Sequence, residues 1–484
     1  MEKIKNFFFQ NTNDKQTAIK NTFWLTFSEI VGRLLKMVLI IYMARKLGTD
    51  QWGVFSYAIS MASLLMIFSD IGISNLLTRE IVQKKEEYER FISTALFLKI
   101  IILLISTVLT IVISPFISNI PEANKIFVII AVVLFFDSLT NLGLAFNRAF
   151  EKMEREVIIK TISNTLVLII GIVLLNVSPT SKSIAMAYAV GSIMSSFLIF
   201  FMIKDDIKKF LVKIDKKKIG LILQTTWPFA IIILIGSIMA NTDTFMLGIW
   251  KTPKEIGLYA VAQRFYQLII IIPSVVSTAT FPIMSRLTEG KDSQQFALVF
   301  EKTIAFIMIL GMPIAVGGIV LANQLIPLVF GIEYIEAVPL LQILMLMLIV
   351  SFPITIMSNT IFSHNKQRSL ATAYMAGIIF NIIINALLIP TMGAKGAALA
   401  TLISTTIMAF IIWIKMKNIS NFKILPKLKI IFLATLLMAI LTLVLKYLGI
   451  NVILNIITSS FIYLIILMIF KESTLIEIRE LIHI

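Results

Sequence analysis

Three charged residues lie four and three positions apart in the first long apolar stretch of the sequence. Glu29, Arg33 and Lys36 are spaced so that one face of a helix carries all three side chains. A charged side chain inside a membrane is costly, and it normally faces protein or a water-filled path rather than lipid. The first helix is therefore predicted to have a polar side, which is typical of a helix that lines a path through the membrane.

Other predicted membrane-spanning stretches also contain charged residues. Among these are three cations and one acid: Lys99, Lys160, Arg264 and Asp137. Together with Arg33 and Lys36, the three cations are candidates for a polar path through the membrane. Asp137 is expected to pair with a lysine from a neighbouring helix, and proton coupling is the second interpretation for it.

Structural ion pairing competes with substrate binding as an explanation for these charges. Glu29 precedes Arg33 by four positions, so the two side chains could pair along one helix. Asp70, in the segment SDIG, is another acid within a predicted span, and we expect it to contact a helix end or a loop.

The composition defines the class of protein that must position these residues. Hydrophobic residues make up 58% of the 484 residues and charged residues only 14%, whereas soluble domains are about one quarter charged. This composition predicts a multi-pass membrane protein. The absence of cysteine excludes disulfides and thiolate metal sites, and two histidines are too few for a histidine metal cluster.

Fourteen apolar stretches are long enough to cross a bilayer. They run over residues 22–44, 54–78, 91–114, 126–147, 157–177, 183–203, 219–249, 257–285, 303–329, 337–362, 369–390, 396–414, 430–448 and 451–470. A short polar turn from Ala44 to Gly53 joins the first two. Because the number is even, both termini are predicted to lie on the same side of the membrane.

The distribution of basic residues predicts which side that is. Thirty of the 43 lysines and arginines fall in the ends and loops of one side, and eight fall in the loops of the other. The positive-inside rule places the richer side, and both termini, in the cytoplasm of a cell-membrane protein. Topology and anionic lipid headgroups then explain the net charge of +16, so nucleic acid is not expected as a partner.

Two halves of the chain carry an ordered set of matching motifs. Gly53 in QWGVFSYA matches Gly257 in EIGLYAVA, and Lys182 in PTSKSIA matches Lys395 in TMGAKGAA. A slowly drifting offset between such pairs is typical of an internal repeat. The predicted domains are a cytoplasmic lead-in (1–20), an N-lobe (21–203), a basic linker (204–218), a C-lobe (219–414), and two further helices with a cytoplasmic tail (415–484).

The segments ARKLGTDQWGVFSYA, SDIGISNLLTRE, NTDTFMLGIWKTPKEIGLYAVAQRF and NIIINALLIPTMGAKGAALATLIS occur in a familiar order. From Asn21 to about Trp413 the chain resembles the polysaccharide transporter (Wzx-type oligosaccharide flippase) family of the multidrug/oligosaccharidyl-lipid/polysaccharide exporter superfamily. The resemblance implies an all-α integral membrane protein of about 14 transmembrane helices. Two pseudo-symmetric six-helix lobes would surround a central cavity, with two extra C-terminal helices.

The same resemblance implies a transporter rather than an enzyme. Its substrate would be an oligosaccharide on a polyprenyl (pyro)phosphate, moved from the cytoplasmic to the outer leaflet by alternating access without ATP hydrolysis. Membrane lipids and polysaccharide polymerase or assembly proteins are the other expected partners. The resemblance makes five cations within the spans candidate ligands for the phosphate: Arg33, Lys36, Lys99, Lys160 and Arg264. Arg33 and Arg264 come first, because they lie on helices where the related lipid II flippases carry cavity arginines.

A sodium site is a further implication of the resemblance. Some lipid II flippases bind Na⁺ with an acid on helix 7, an Asn and an Asp on helix 11, and a carbonyl and a Thr on helix 12. The matching positions are Asp243, Asn381, Asn385, Ala397 and Thr401. Asn385 stands where that pattern has Asp, so one negative charge is missing. Na⁺ or H⁺ is the expected coupling ion, and interhelical hydrogen bonding is the alternative role for the two asparagines.

Three competing functions follow from the same sequence. They are a lipid II-type flippase, a cation-coupled small-molecule (multidrug) exporter, and a membrane enzyme that polymerises or ligates glycans. Five cations inside the spans argue against the exporter, which would need a more acidic or aromatic cavity. Short outside loops argue against the enzyme, which would need room there for catalytic groups.

Overall fold

The computed structural model describes residues 14–83, 88–208, 210, 214–289, 293–364, 366–470 and 472. Within these ranges the regular secondary structure is helical, and no strand occurs. Most of the predicted cytoplasmic lead-in and tail lies outside the described residues. The chain forms two compact units, Met1–Gly257 and Leu258–Ile484.

Seven long helices of the first unit lie in the described ranges. They are α1 (Asp14–Leu65), α2 (Ile73–Gln83), α3 (Tyr88–Ile117), α4 (Phe127–Ala149), α5 (Met153–Val177), α6 (Ser181–Lys208) and α7 (Ile219–Trp250). In this unit α1 packs against α5 and α7, and α4 packs against α6.

The next helix, α8 (Pro253–Ile269), starts in the first unit and continues into the second. The further helices of the second unit are α9 (Ile271–Glu289), α10 (Ser293–Phe330), α11 (Val338–Ser363), α12 (Gln367–Met392), α13 (Ala394–Lys417), α14 (Leu425–Tyr447) and α15 (Val452–Ile469). Here α12 packs against α13, while α14 packs against both α10 and α15.

Among the described residues, 13 helices are long and apolar enough to cross a membrane. The sequence predicts fourteen spans, and the difference lies in α1, where a single helix covers the end of the first predicted span and much of the second. Gly48 breaks α1 inside the predicted turn, with φ 68 and ψ −179. This left-handed backbone favours glycine. Because the break at Gly48 divides α1 into two helical segments, the structure agrees with the prediction of about fourteen transmembrane helices.

The second predicted span, 54–78, is wrong as a single helix. The α-helix ends at Leu65, a 3₁₀ turn follows, and Gly72 (φ 86) precedes α2. Asp70 Oδ1 accepts hydrogen bonds from the amides of Gly72 and Ser74, at 3.1 and 3.4 Å. Such side-chain bonds compete with the helix ladder, and an apolar run does not reveal them.

The eighth predicted span, 257–285, falls within one candidate membrane span, Pro253–Thr288. It is divided between α8 and α9, where Ile270 forms a turn. The second span of each predicted half is thus interrupted. The two halves share this irregularity as well as their sequence motifs.

The compact units do not coincide with the predicted lobes. Helix α7, which the repeat assigns to the C-lobe, belongs to the first compact unit because it packs against α1. Compactness and sequence repetition are different properties, so the lobe bounds 21–203 and 219–414 stay a prediction.

Two glycines allow backbones of the first unit to touch directly. A Cβ at Gly53 would collide with the carbonyl of Pro253, and a Cβ at Gly257 would collide with the carbonyl of Thr49. These glycines are equivalent in the sequence repeat. Only glycine at both positions permits this approach.

The predicted orientation can be tested without removing any native cysteine, because the chain has none. Single cysteines at the exposed positions Lys125 and Lys182 should react with an impermeant maleimide in intact cells. Cysteines at Asp205 and Lys366, also exposed, should react about tenfold more slowly until the membrane is permeabilised. The reverse labelling pattern would place both termini outside.

Candidate functional site

A polar cavity of about 230 Å³ lies among four helices of the first unit. Helices α1, α4, α5 and α6 supply the lining. Its charged and polar lining residues are Lys36, Asp137, Thr140, Asn141, Lys160, Ser163, Asn164 and Ser195. Polar groups at this density, in helices apolar enough to cross a membrane, indicate a place for a polar ligand or for water.

Small residues bring the lining helices close together. A Cβ at Gly32 of α1 would lie 3.4 Å from Nδ2 of Asn164 on α5, and a Cβ at Gly143 of α4 would collide with Ile199 of α6. Close approach through glycine is typical of helix packing in membranes. Lys36 lies one turn after Gly32 on the same face of α1, so both residues line the cavity.

Lys36 and Asp137 place opposite charges in the cavity. The Lys36 side chain is exposed, and its charge interacts with the Asp137 carboxylate. Asp137 Oδ1 also accepts a 2.6 Å hydrogen bond from the Ser192 hydroxyl of α6. The carboxylate therefore has a neutral hydrogen-bond partner and shares its cavity with a cation.

Lys160 is held by an acid that the sequence analysis did not single out. Its Nζ lies 2.8 Å from Oε1 of Glu156, one turn earlier on α5. Glu156 also accepts two bonds from Arg148, from Nη2 at 2.7 Å and from Nε at 2.9 Å. The four-residue spacing from Glu156 to Lys160 was a usable signal in the sequence, whereas the Arg148 contact depends on how α4 meets α5.

The structure does not place Lys99 at the cavity. This lysine is fully buried, and its Nζ lies 2.7 Å from the Ser69 carbonyl, 2.9 Å from Ser138 Oγ and 3.0 Å from Asp70 Oδ2. An ammonium group with three protein partners and no exposed surface joins α3 and α4 to the segment before α2. Asp70 makes the helix-end contact that its position predicted, through the Gly72 and Ser74 amides.

Of the two arginines predicted to line a cavity, the structure describes the side chain of Arg264 but not that of Arg33. Glu29 and Arg33 lie in α1, but their side chains are outside the described residues. Arg264 lies in the second unit on α8, where it is half-buried and its Nη1 donates a 2.7 Å hydrogen bond to Gln267 Oε1.

Four of the five predicted sodium ligands meet within the second unit. Asn385 Nδ2 donates to Asn381 Oδ1 at 3.0 Å, and Thr401 Oγ1 donates to the Ala397 carbonyl at 2.9 Å. Ser404 links the two pairs, because it lies 3.4 Å from Asn381 Nδ2 and donates to the Thr401 carbonyl at 3.1 Å. The fifth residue, Asp243, is buried in the first unit.

This cluster fits a cation in the type of its donor atoms but not in charge. Amide, hydroxyl and carbonyl oxygens suit Na⁺, yet the four second-unit residues carry no formal charge. Two of the oxygens that a cation would need, Asn381 Oδ1 and the Ala397 carbonyl, already accept hydrogen bonds within the cluster.

A second cavity, of about 460 Å³, lies in the second unit and is almost entirely apolar. It is bounded by α8, α10, α11 and the last two helices, α14 and α15. Its lining includes Leu310, Pro313, Leu321, Met345, Met438 and Leu464. The sequence analysis did not anticipate this cavity, because its lining resembles any other apolar helix surface.

Comparison with protein families gives two matches. The model of a family described as polysaccharide biosynthesis protein matches residues 18–288, which is more than half of the chain. A second model, described as MatE, matches residues 228–387.

Among curated proteins, the chain is similar to transporters of glycans. A probable low-salt glycan biosynthesis flippase, Agl15 of Haloferax volcanii, is 23% identical over 78% of this chain and 79% of its own length. A putative O-antigen transporter of Shigella flexneri is 22% identical over 79% of this chain and 94% of its own length.

Solved structures share the fold. The lipid II flippase MurJ in an inward closed conformation has a TM-score of 0.76 and 20% identity, covering 92% of this chain and 98% of its own. An inward-facing multidrug resistance MATE family transporter has a TM-score of 0.62 and 13% identity, covering 78% and 93%. This likeness confirms the predicted all-α membrane fold.

Replacing Lys99 with methionine should destabilise the first unit. The Asp70 carboxylate would lose its cation and the Ser69 carbonyl its donor, at a cost of about 2–3 kcal/mol. The readout is the melting temperature of the purified protein in detergent. The matched control is Lys36→Met, which removes an exposed cavity lysine and should change stability by at most about 0.5 kcal/mol. Equal melting temperatures for the two variants would contradict the structural role of Lys99.

Proposed function

The chain belongs to the polysaccharide biosynthesis protein family, and we propose that it moves a lipid-linked oligosaccharide across the cell membrane. The substrate is an oligosaccharide on a polyprenyl (pyro)phosphate, and it passes from the cytoplasmic to the outer leaflet. The observation that carries the proposal is the polar cavity of the first unit, with Lys36 and Lys160 in its lining. Such a headgroup is too polar to enter hydrocarbon unaided.

The cavity offers what a phosphorylated sugar requires. Two ammonium groups supply charge-assisted hydrogen bonds to phosphate oxygens. Hydroxyl and amide groups, among them Thr140, Asn141 and Ser163, can exchange hydrogen bonds with sugar hydroxyls. Because no covalent bond is made or broken in this process, the residues act by binding and release, and the protein is a transporter rather than an enzyme.

The apolar cavity of the second unit is an argument for a substrate with a lipid part. A polyprenyl chain gains free energy wherever it covers apolar side chains. The cavity lined by Leu310, Met345 and Met438 supplies such a surface. A substrate with one anionic end and one hydrocarbon end therefore matches the chemistry of the two cavities.

Alternating access driven by an ion gradient completes the proposal, with Na⁺ or H⁺ as the coupling ion. The cluster of Asn381, Asn385, Ala397 and Thr401 has oxygen atoms of the type that Na⁺ prefers but no negative charge, and Asp137 is the candidate for H⁺. We place both termini in the cytoplasm, and a polysaccharide polymerase or assembly protein is the expected partner outside the lipid phase.

One alternative has an observation in its favour. The MatE match over residues 228–387 favours a cation-coupled exporter of small molecules. The two described lysines of the polar cavity argue against a cationic substrate, because like charges repel. A lipid II-type flippase differs from our proposal only in the headgroup.

Removal of either cavity lysine should slow transport. We expect Lys36→Gln and Lys160→Gln each to reduce headgroup translocation about tenfold, the loss of one charge-assisted contact. Translocation is measured in proteoliposomes with a short-chain polyprenyl-pyrophosphate sugar. The matched control is Lys125→Gln, which removes an exposed lysine outside the cavity and should leave the rate unchanged.

The same vesicles decide between the alternatives. A Na⁺ gradient, a pH gradient and no gradient are compared to identify the coupling ion. If the wild-type protein moves none of several such lipids but drives the efflux of an organic cation, the proposed function is wrong and the exporter takes its place.

A further inference from the structure

The Glu156 carboxylate contacts two cations, Lys160 in the lining of the polar cavity and Arg148 outside that lining. We infer that Glu156, held by Arg148, positions Lys160 at the cavity and releases it to a phosphoryl group of the incoming headgroup. This inference rests on the proposed function and adds an exchange of ion pairs to it. Glu156 and Arg148 are positioning residues, since neither lines the cavity.

The geometry shows one buried acid between two cations. The Glu156 side chain is 1% exposed, whereas those of Lys160 and Arg148 are 28% and 44% exposed. Arg148 approaches the carboxylate through both Nη2 and Nε, in the two-pronged arrangement that guanidinium and carboxylate groups favour. Lys160 makes a single-pronged contact to this carboxylate, at 2.8 Å, and its side chain lines the cavity.

This asymmetry determines which cation can leave. A buried carboxylate that loses its cation is strongly destabilised. If Lys160 turns toward an anion in the cavity, Glu156 keeps the two-pronged bond to Arg148 and is not left bare. The long lysine side chain has the rotational freedom for such a move, and its three donors suit phosphate oxygens.

Lys36, the second lysine of the cavity, also lies near an acid that has another partner. Asp137, which interacts with Lys36, also accepts the 2.6 Å hydrogen bond from Ser192. Each acid near a cavity lysine thus retains another partner when that lysine moves. Lys36, Lys160 and Arg148 together outnumber the acids Asp137 and Glu156 by one positive charge, and both lysines become available when an anion arrives.

Opposite effects of two substitutions test the exchange. Glu156→Gln removes the acid that competes for Lys160, so binding of a pyrophosphate group should become about fivefold tighter. Arg148→Gln removes the other cation of Glu156, so Glu156 holds Lys160 more strongly and Lys160 is less available to the ligand. Binding of the pyrophosphate group should therefore become about fivefold weaker. Arg148→Lys keeps a cation beside Glu156 and should restore affinity toward the wild-type value.

The probes are inorganic pyrophosphate and a short-chain polyprenyl pyrophosphate. Each is titrated calorimetrically into the full-length protein in detergent at fixed ionic strength. The matched controls are Asp206→Asn and Arg155→Gln, which make the same charge changes in the ion pair between α5 and α6 at 3.7 Å, outside the cavity lining. They should leave both affinities within about twofold.

A double-mutant cycle separates exchange from structural support. In a Lys160→Gln background, Glu156→Gln should no longer tighten binding, because the lysine it releases is absent. A purely structural role predicts instead that Glu156→Gln and Arg148→Gln both weaken binding in parallel with lower melting temperatures. That result, or effects no larger than those of the controls, overturns the inference.

The remaining outcomes also separate this inference from the proposed function. If the wild-type protein translocates the lipid but binds neither probe, the exchange is wrong and the transport function stands. If the variants change only the binding of the inorganic ion, the site serves free phosphate and the lipid headgroup assignment is overturned. If the opposite effects occur on both probes without translocation, the exchange stands and the transport function falls.

Discussion

A charged group inside an apolar helix bundle must be neutralised by a partner, and this requirement organises the first unit. Lys99 is paired with Asp70, and Lys160 is paired with Glu156, which Arg148 also holds. The two lysines differ in one respect that decides their roles. Lys99 is fully buried by three partners, while Lys160 keeps part of its surface in the polar cavity. The same electrostatic rule thus accounts for a fully buried structural cation and for a cation that faces the polar cavity.

The backbone irregularities serve this arrangement of charges. The break after Leu65 exposes the Ser69 carbonyl and the Asp70 side chain, and both contact the Lys99 ammonium group. Glycines at positions 32 and 143 bring the lining helices close enough for their polar residues to share one cavity. An uninterrupted helix at 54–78 would satisfy the Ser69 carbonyl within its own ladder and leave Lys99 without that acceptor.

The sequence was sufficient for the class of fold and for part of the site. Composition and span length predicted an all-helical membrane protein, and the charges within spans led to Lys36, Asp137 and Lys160, which share the cavity. Glu156 was missed although it lies four residues before Lys160. The break at Asp70, the burial of Lys99 and the apolar cavity could not be predicted, because each depends on which helices meet in three dimensions.

The central claim is that the cavity lysines hold the phosphate of the headgroup while Glu156 remains neutralised by Arg148. The most direct measurement is a cryo-electron microscopy structure of the full-length protein with a short-chain polyprenyl-pyrophosphate sugar. We expect a phosphate oxygen within about 3 Å of both Lys36 Nζ and Lys160 Nζ, with the bond between Arg148 and Glu156 intact. Phosphate density distant from both lysines, with Lys160 still bound to Glu156, would contradict the account.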